Sequence, residues 1–154
     1  MASTTNGQLY IVDTDTLEKM AIQFIPDELH WNRVVKEGDI IVVGRNNPIL
    51  HYITGVDTLS FKLTLHALEN NRTDVIKRAK WLKSLTYNNG FNSPRPRIRL
   101  VWGDLFSNEV WTCASADLNL RLFDKVNNML PTLAAVDIVF KLDPSKNLLI
   151  KDVR

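Results

Sequence analysis

The sequence has 154 residues, of which 45% are hydrophobic and 23% charged, and its formal net charge at pH 7 is +2. A chain of this size and composition is expected to form one globular domain, 1–154, whose core needs no disulfide or metal. The small charge excess disfavours general nucleic-acid or membrane binding, which usually depends on clustered Lys and Arg. Cys113 is the single cysteine, which excludes an intrachain disulfide. No apolar run approaches the ~20 residues of a membrane span, and the polar leader 1–8 lacks the apolar region of a signal peptide.

The first quarter of the chain contains two short apolar runs. Leu9 to Val12 and Met20 to Phe24 flank Asp13 to Thr16, whose side chains favour turns, so the pattern predicts a first hairpin. Between Glu28 and Gly55 the alternation of apolar and polar residues fades. We predict an irregular excursion there with one short strand, Ile40 to Val43.

The clearest strand signal runs from Asp57 to His66. Leucine and phenylalanine alternate with polar residues, and side chains of a strand point alternately to opposite faces. The segment is therefore predicted to be half-buried. Its polar positions, which are candidates for a lumen or partner face, are Thr58, Ser60, Lys62 and Thr64.

Three later segments repeat this alternation: Arg97 to Trp102, Ala114 to Phe123 and Thr132 to Leu142. In the second, the even-numbered residues Ala114, Ala116, Leu118, Leu120 and Leu122 are predicted to point inward. Its outward positions, the alternative candidates for a lumen or partner face, are Asp117, Asn119 and Arg121. Together the segments predict an antiparallel sheet with a long polar face.

One helix is predicted from about Asp74 to Tyr87, after a run of residues that cap helices well. Its apolar stripe, expected to lie on the sheet, is Val75, Ala79, Leu82 and Leu85. Its basic face, a candidate surface for nucleic acid or an acidic protein, is Lys77, Arg78, Lys80 and Lys83, with Trp81 among them. The small net charge favours a solvated or protein-facing helix over nucleic-acid binding.

The sequence contains no recognisable catalytic or cofactor motif. His30, His51 and His66 lack metal-ligand spacing, and there is no phosphate-binding glycine loop. Cys113 lies in a strand-like context that predicts an inert core thiol. We therefore expect no catalytic residue, metal or cofactor, and a hydrolase is the weakest reading because convergent polar residues are missing.

Three stretches, taken together, resemble a known family. They are Ile22-Gln23-Phe24-Ile25-Pro26-Asp27-Glu28-Leu29, then Gly55-Val56-Asp57-Thr58-Leu59-Ser60-Phe61-Lys62-Leu63, and then Arg97-Ile98-Arg99-Leu100-Val101-Trp102-Gly103 followed by Phe106 and Leu122-Phe123-Asp124. Their order around one helix is similar to that of the tube proteins of phage tails and contractile injection systems. The resemblance spans roughly Ile22 to Leu142. Where the family commonly has Asn-Pro, this chain has Ile25-Pro26.

The resemblance implies a mainly β fold, an antiparallel barrel or sandwich of tail-tube type with a single helix, whose relatives form six-fold rings. It also implies a structural, non-enzymatic role in a contractile tail, in the virion after assembly in the host cytoplasm. We expect an adaptor at the baseplate/tube junction that links tube or hub to sheath or wedge proteins, since the sequence contains no LysM module. A ring-forming tube protein, with DNA passing through its lumen without specific binding, is the alternative.

The rival from another class is a monomeric module that binds nucleic acid or an acidic protein through the basic helix face. The C-terminal tail, 143–154, carries an apolar patch that is expected to be ordered by partners. The residues of this candidate clamp are Leu148, Leu149 and Ile150.

Overall fold

The computed structural model describes residues 9–68, 71–106, 109–126 and 128–143, without the side chains of residues 52 and 53. The elements are β1 (Leu9–Asp13), β2 (Lys19–Ala21), β3 (Leu29–Ile40), β4 (Ile49–His66), α1 (Arg72–Ser84), β5 (Arg97–Trp102), β6 (Val110–Phe123) and β7 (Pro131–Leu142). The strands form one seven-stranded sheet in the order β2-β1-β5-β6-β7-β4-β3, and every neighbouring pair is antiparallel. The prediction of a mainly β fold with one helix is confirmed for the described residues. The sheet is open, with β2 and β3 at its edges.

The core lies between the sheet and α1. Each central strand buries every second side chain, and α1 packs against β4, β6 and β7 through the stripe predicted from the sequence. Removing this apolar surface from water supplies the main driving force for folding. The side chains that are completely covered include Leu63, Leu82, Trp111, Val136 and Phe140.

Helix α1 is shorter at its C-terminus than predicted and begins earlier. The side chain of Asn71 accepts a hydrogen bond from the Asp74 N–H at 3.3 Å, so Asn71 is the N-cap, and the helix ends at Ser84 rather than Tyr87. Leu85 then closes the last turn, with its N–H bonded to the Leu82 carbonyl. The early cap satisfies a backbone donor that otherwise has no partner in the first turn.

A single glutamine side chain links the β2 end of the sheet to β4. The strand predicted over Met20 to Phe24 ends at Ala21; the Ile22 N–H still donates to the Leu9 carbonyl at 2.8 Å, and the chain leaves the sheet after it. Gln23 then uses its whole amide: Oε1 accepts from the His66 N–H at 2.9 Å, and Nε2 donates to the His66 carbonyl at 3.0 Å. The side chain thus takes the place of a peptide group in a neighbouring strand and holds the two sides of the sheet together.

The prediction of an irregular excursion over residues 28 to 55 is wrong, because most of this region forms the hairpin β3–β4. β4 pairs with β7 only from Thr58 to His66. From residue 49 to 57 the ladder of β4 is with β3 alone, and it skips Ile53 where the register shifts. The short strand predicted at Ile40 to Val43 is wrong, because residues 41–48 connect β3 to β4. Alternation in a sequence reports a face buried against a core, and this part of the hairpin has none. The sequence of the region therefore gives no strand signal, although most of its residues are paired in the hairpin.

Two residues of β6 depart from the prediction, one at a bulge and one beyond the core. The register shifts between Cys113 and Ser115, so Ala114 is left out of the ladder, and buried positions change from odd to even numbers. Leu122, predicted to point inward, is 66% exposed and has a φ of 55°. The prediction fails there because β6 continues beyond the core.

Hydrogen exchange tests the role of the contact between Gln23 and His66. Gln23→Ala is expected to lower the free energy of unfolding by about 1–2 kcal/mol, because two hydrogen bonds are lost. The His66 amide should exchange faster, whereas the neighbouring Ala67 amide, which donates to the Thr132 carbonyl, should keep its protection. Equal acceleration at both amides would contradict a local role for Gln23.

Candidate functional site

The root of the β3–β4 hairpin is held by an ion pair. Arg33 and Asp57 stand opposite each other in the ladder, and Arg33 Nη1 lies 2.8 Å from Asp57 Oδ2. The carboxylate is largely buried. A Cβ at Gly55 would lie 2.8 Å from Arg33 Nη2, so the guanidinium rests across the glycine backbone. A side chain at position 55 would displace the arginine and weaken the pair.

An aromatic cluster fastens the same root to the core. The ring centroid of Trp31 lies 5.5 Å from that of Phe106 and 6.3 Å from that of Trp111. Trp111 is fully buried, while Trp31 remains 41% exposed. The tilted and edge-on geometries are the favourable ones for aromatic pairs. The hairpin therefore leaves the domain from a rigid base.

Beyond this base the hairpin has no support from the described part of the domain. We call residues 34–56 the hairpin arm. A two-stranded hairpin alone is marginally stable in water, and exposed apolar surface usually marks an interaction site. Ile41 and Val43, near the turn, are 87% and 101% exposed. The exposed large apolar residues of the arm are Val34, Val35, Ile40, Ile41, Val42, Val43, Ile49, Leu50 and Val56.

The two candidate polar sets lie on one surface. We call this the polar sheet face, the side of β4, β7 and β6 that points away from the core. The sequence left the β4 and β6 sets as alternatives, but β7 joins them: Lys62 pairs with Asp137, which pairs with Asp117 on its other side. Lys62, Thr64, Asp117, Asn119 and Arg121 are exposed, and Thr58 and Ser60 are half-buried.

A like-charge pair stands in the middle of the polar sheet face. Asp117 and Asp137 are directly opposite each other and both are exposed. Such cross-strand pairs destabilise a sheet slightly. Lys62 is the neighbouring cation on β4. The ion pairs that join described residues include neither aspartate.

The connection from β2 to β3 overhangs this face and forms a groove of about 780 Å³. We call it the sheet groove. Its apolar wall is Phe24, Ile25 and Pro26, and the carboxylates that line it belong to Asp27, Glu28 and Asp137. In the sequence, Ile25-Pro26-Asp27 contributed only to the resemblance to tail-tube proteins, and no binding surface was predicted there. The exposed apolar residues before two acids were a signal that this segment covers a surface.

Lys62, His30 and His66 also line the sheet groove. The described residues contain no group of three or more His, Cys, Asp or Glu side chains placed to hold a metal ion.

The basic helix face is partly used within the chain. Arg78 Nε lies 2.8 Å from Asp74 Oδ2, and Arg78 Nη1 donates to the Ala21 carbonyl at 3.2 Å. The indole N–H of Trp81 donates to Glu18 Oε2 at 3.0 Å. The exposed cations that remain on this face are Lys77, Lys80 and Lys83. Arg78 and Trp81 therefore help to hold β2 against α1.

Cys113 is a core residue, as predicted. Its side chain is fully buried, and its Sγ donates to the Ser115 carbonyl at 3.4 Å. Burial raises the pKa of the thiol from 9.0 to about 11, against the opposing effect of Arg95. A thiolate is therefore scarce at neutral pH, and the geometry offers no support for a nucleophile.

The candidate clamp in the C-terminal tail, Leu148, Leu149 and Ile150, lies outside the described residues. Among the described residues no helix has the length and apolar character to cross a membrane. No protein-family model matches the sequence, and no curated protein matches it. A function is therefore inferred from the hairpin arm, the polar sheet face and the sheet groove.

The buried thiol predicts a particular dependence of stability on pH. Because the folded state raises the pKa of Cys113, the unfolded chain ionises first, and the stabilisation is present below pH 9.0 and lost as pH rises toward 11. Melting midpoints of the wild type should therefore fall more steeply over this range than those of Cys113→Ala. Parallel curves would show that the thiol does not titrate differently in the two states.

The hairpin arm predicts tolerance to shortening. Replacing residues 35–55 by Asn-Gly joins Val34 to Val56, which already face each other, with a turn that suits two-residue hairpins. The melting midpoint is expected to stay within about 4 °C of the wild type, because 1 kcal/mol corresponds to roughly 2–4 °C in a domain of this size. Trp31→Ala, at the root, should lower it further than the shortening does. Loss of cooperative unfolding in the shortened chain would show that the arm supports the core.

Proposed function

We propose that this chain is a structural, non-enzymatic component of a contractile phage tail or a related injection system. In this proposal it acts at the baseplate/tube junction as a tube-fold adaptor that links tube or hub to sheath or wedge proteins. Its place is the virion tail, after assembly in the host cytoplasm. The observation that carries the proposal is the hairpin arm, which extends the sheet away from the core and exposes apolar side chains.

The arm fits an assembly role for energetic reasons. Exposed Val and Ile side chains gain stabilisation only when another surface covers them, at about 25 cal/mol per Å² of apolar area. The Arg33–Asp57 pair and the Trp31 cluster fix the direction in which the arm leaves the domain. A rigid root reduces the ordering cost of binding, because the direction is set before the partner arrives.

The open sheet supports the same proposal. β3 is an edge strand of 12 residues, and an edge presents unpaired backbone groups that can join a neighbouring sheet. Joining such edges in six copies yields a ring of tail-tube type, with the polar sheet face toward a water-filled lumen or toward a partner. The long edge of β3 also favours the second candidate, a ring-forming tube protein that lets DNA pass without specific contacts.

The rival function is a monomeric module that binds nucleic acid or an acidic protein, and the contacts of the basic helix face disfavour it. Arg78 and Trp81, the residues best suited to hold phosphate and stack on a base, are engaged by Asp74 and Glu18. Three exposed lysines remain, and they are the sort of solvated charges that any helix surface carries.

The proposal is tested with tail particles and purified chain. Val43→Asp places a charge at the exposed end of the arm, and Val126→Asp is the matched control, since Val126 is 87% exposed in the loop between β6 and β7. We expect Val43→Asp to reduce incorporation into co-produced tail or baseplate particles by about tenfold or more, a loss of roughly 1.4 kcal/mol. Val126→Asp should incorporate normally.

Mass photometry and negative-stain imaging across a range of concentrations then separate the two structural candidates. Rings or stacked tubes of the purified chain favour the tube protein, whereas a monomer that enters particles favours the adaptor. A chain that neither assembles alone nor enters tail particles contradicts the proposal.

A further inference from the structure

We propose that the end of the hairpin arm of one copy docks in the sheet groove of a second copy. This inference rests on the proposed function only in treating the arm as an assembly contact, and it names the surface that receives the arm. We call residues 40–49 the arm tip. The tip and the groove are complementary in chemistry, and within one chain they lie too far apart to meet.

The arm tip combines apolar side chains with one cation. Ile41 and Val43 are almost completely exposed, and Arg45 follows two residues later. Gly44 takes a φ of 87°, and the Arg45 N–H donates to the Val42 carbonyl at 3.2 Å, which closes the turn. No carboxylate occurs from residue 40 to 49. The tip therefore presents a compact apolar and positively charged end.

The sheet groove has the opposite charge and a matching apolar wall. Phe24 and Ile25 are 47% and 59% exposed along that wall. Three carboxylates line the groove against one lysine. The ion pairs among described residues involve none of these three carboxylates. The groove is thus negative, and its apolar wall lacks a cover.

The arm tip and the sheet groove both carry exposed apolar side chains, and their charges are opposite. Docking places Ile41 and Val43 of the tip against Phe24 and Ile25 of the groove, and it brings Arg45 to the carboxylates. A guanidinium pairs with carboxylates through strong, directional hydrogen bonds, so Arg45 supplies orientation while the apolar contacts supply most of the affinity. A volume of about 780 Å³ leaves room for several side chains of the tip.

The contact has to form between copies. His30, in the lining of the groove, and Ile40, at the tip, belong to the same strand. At roughly 3.3 Å per residue they are about 33 Å apart, too far for a paired ribbon to fold back on itself. Because tip and groove are different surfaces, each bound copy still offers a free tip and a free groove. Such a heterologous contact closes into a ring or continues as a stack.

Complementation between two defective variants tests this directly. Val43→Asp disables the tip and Ile25→Asp disables the groove, and both positions are exposed, so the fold should keep its melting midpoint. Each variant alone is expected to self-associate at least about tenfold more weakly than the wild type. Mixed at equal concentration, they should form 1:1 dimers and nothing larger, because one intact tip meets one intact groove. Mass photometry with a mass tag on one variant reads this out.

A charge exchange provides the second arm of the test. Arg45→Glu should weaken assembly, and adding Glu28→Arg in the same chain should restore it to within about threefold of the wild type. Val126→Asp, exposed but outside both surfaces, should assemble like the wild type. Failure of the exchange to restore assembly, or a mixture of folded variants that stays monomeric, would overturn the docking.

The outcomes separate this inference from the proposed function. If the wild type assembles and both single variants assemble equally well, the contact lies elsewhere, which overturns the docking and leaves the tail role standing. If the wild type stays monomeric at high concentration yet enters tail particles, docking between copies is again wrong and the adaptor role is supported. Absence from tail particles bears on the proposed function alone.

Discussion

The ion pair between Arg33 and Asp57 marks the position where β4 changes its surroundings. On the C-terminal side of Asp57 the strand is flanked by β7 and buries alternate residues under α1. On the N-terminal side it pairs only with β3 and both of its faces meet solvent. An ion pair with one largely buried partner contributes more through orientation than through net stability, because desolvation offsets much of the attraction. Its main effect here is to fix the direction in which the solvated hairpin arm leaves the packed domain.

The buried half of the fold was predictable because apolar residues recur in its strands and helix with the spacing typical of each element. Leu59 to Leu65 and Ile98 with Leu100 alternate with polar residues, Ala134 to Phe140 is a largely apolar run that contains Asp137, and α1 repeats its apolar residues at helical spacing. The hairpin arm has no such periodic pattern, since exposed positions accept apolar and polar residues in any order. The bulge at Ala114 was likewise invisible, because an extra residue changes the parity of a strand without changing its composition.

The candidate site was predictable in its parts but not in its assembly. Alternation identified the outward residues of β4 and of β6, but it does not reveal that β7 lies between them, so one surface was divided into two alternatives. The sheet groove depends on a connection that passes over the sheet, and the Gln23 contact that holds it joins residues 43 positions apart. Neither a spacing rule nor local propensity encodes such a pairing. The basic helix face shows the converse, since Arg78 looked free in sequence and is bound in the fold.

The register shift between Lys36 and Glu37 has a consequence for the chain while it is still unassembled. Steric-zipper aggregates grow from uninterrupted segments of roughly six or seven residues that stack in one register. Opposite this point the ladder skips Ile53 of β4, and such a bulge bends and twists a hairpin, which makes its edge a less regular template than a flat strand. The charged residues Lys36, Glu37 and Asp39 lie in the same stretch and act as gatekeepers. The chain can therefore keep an apolar ribbon exposed for a partner while the ribbon remains a poor template for amyloid growth.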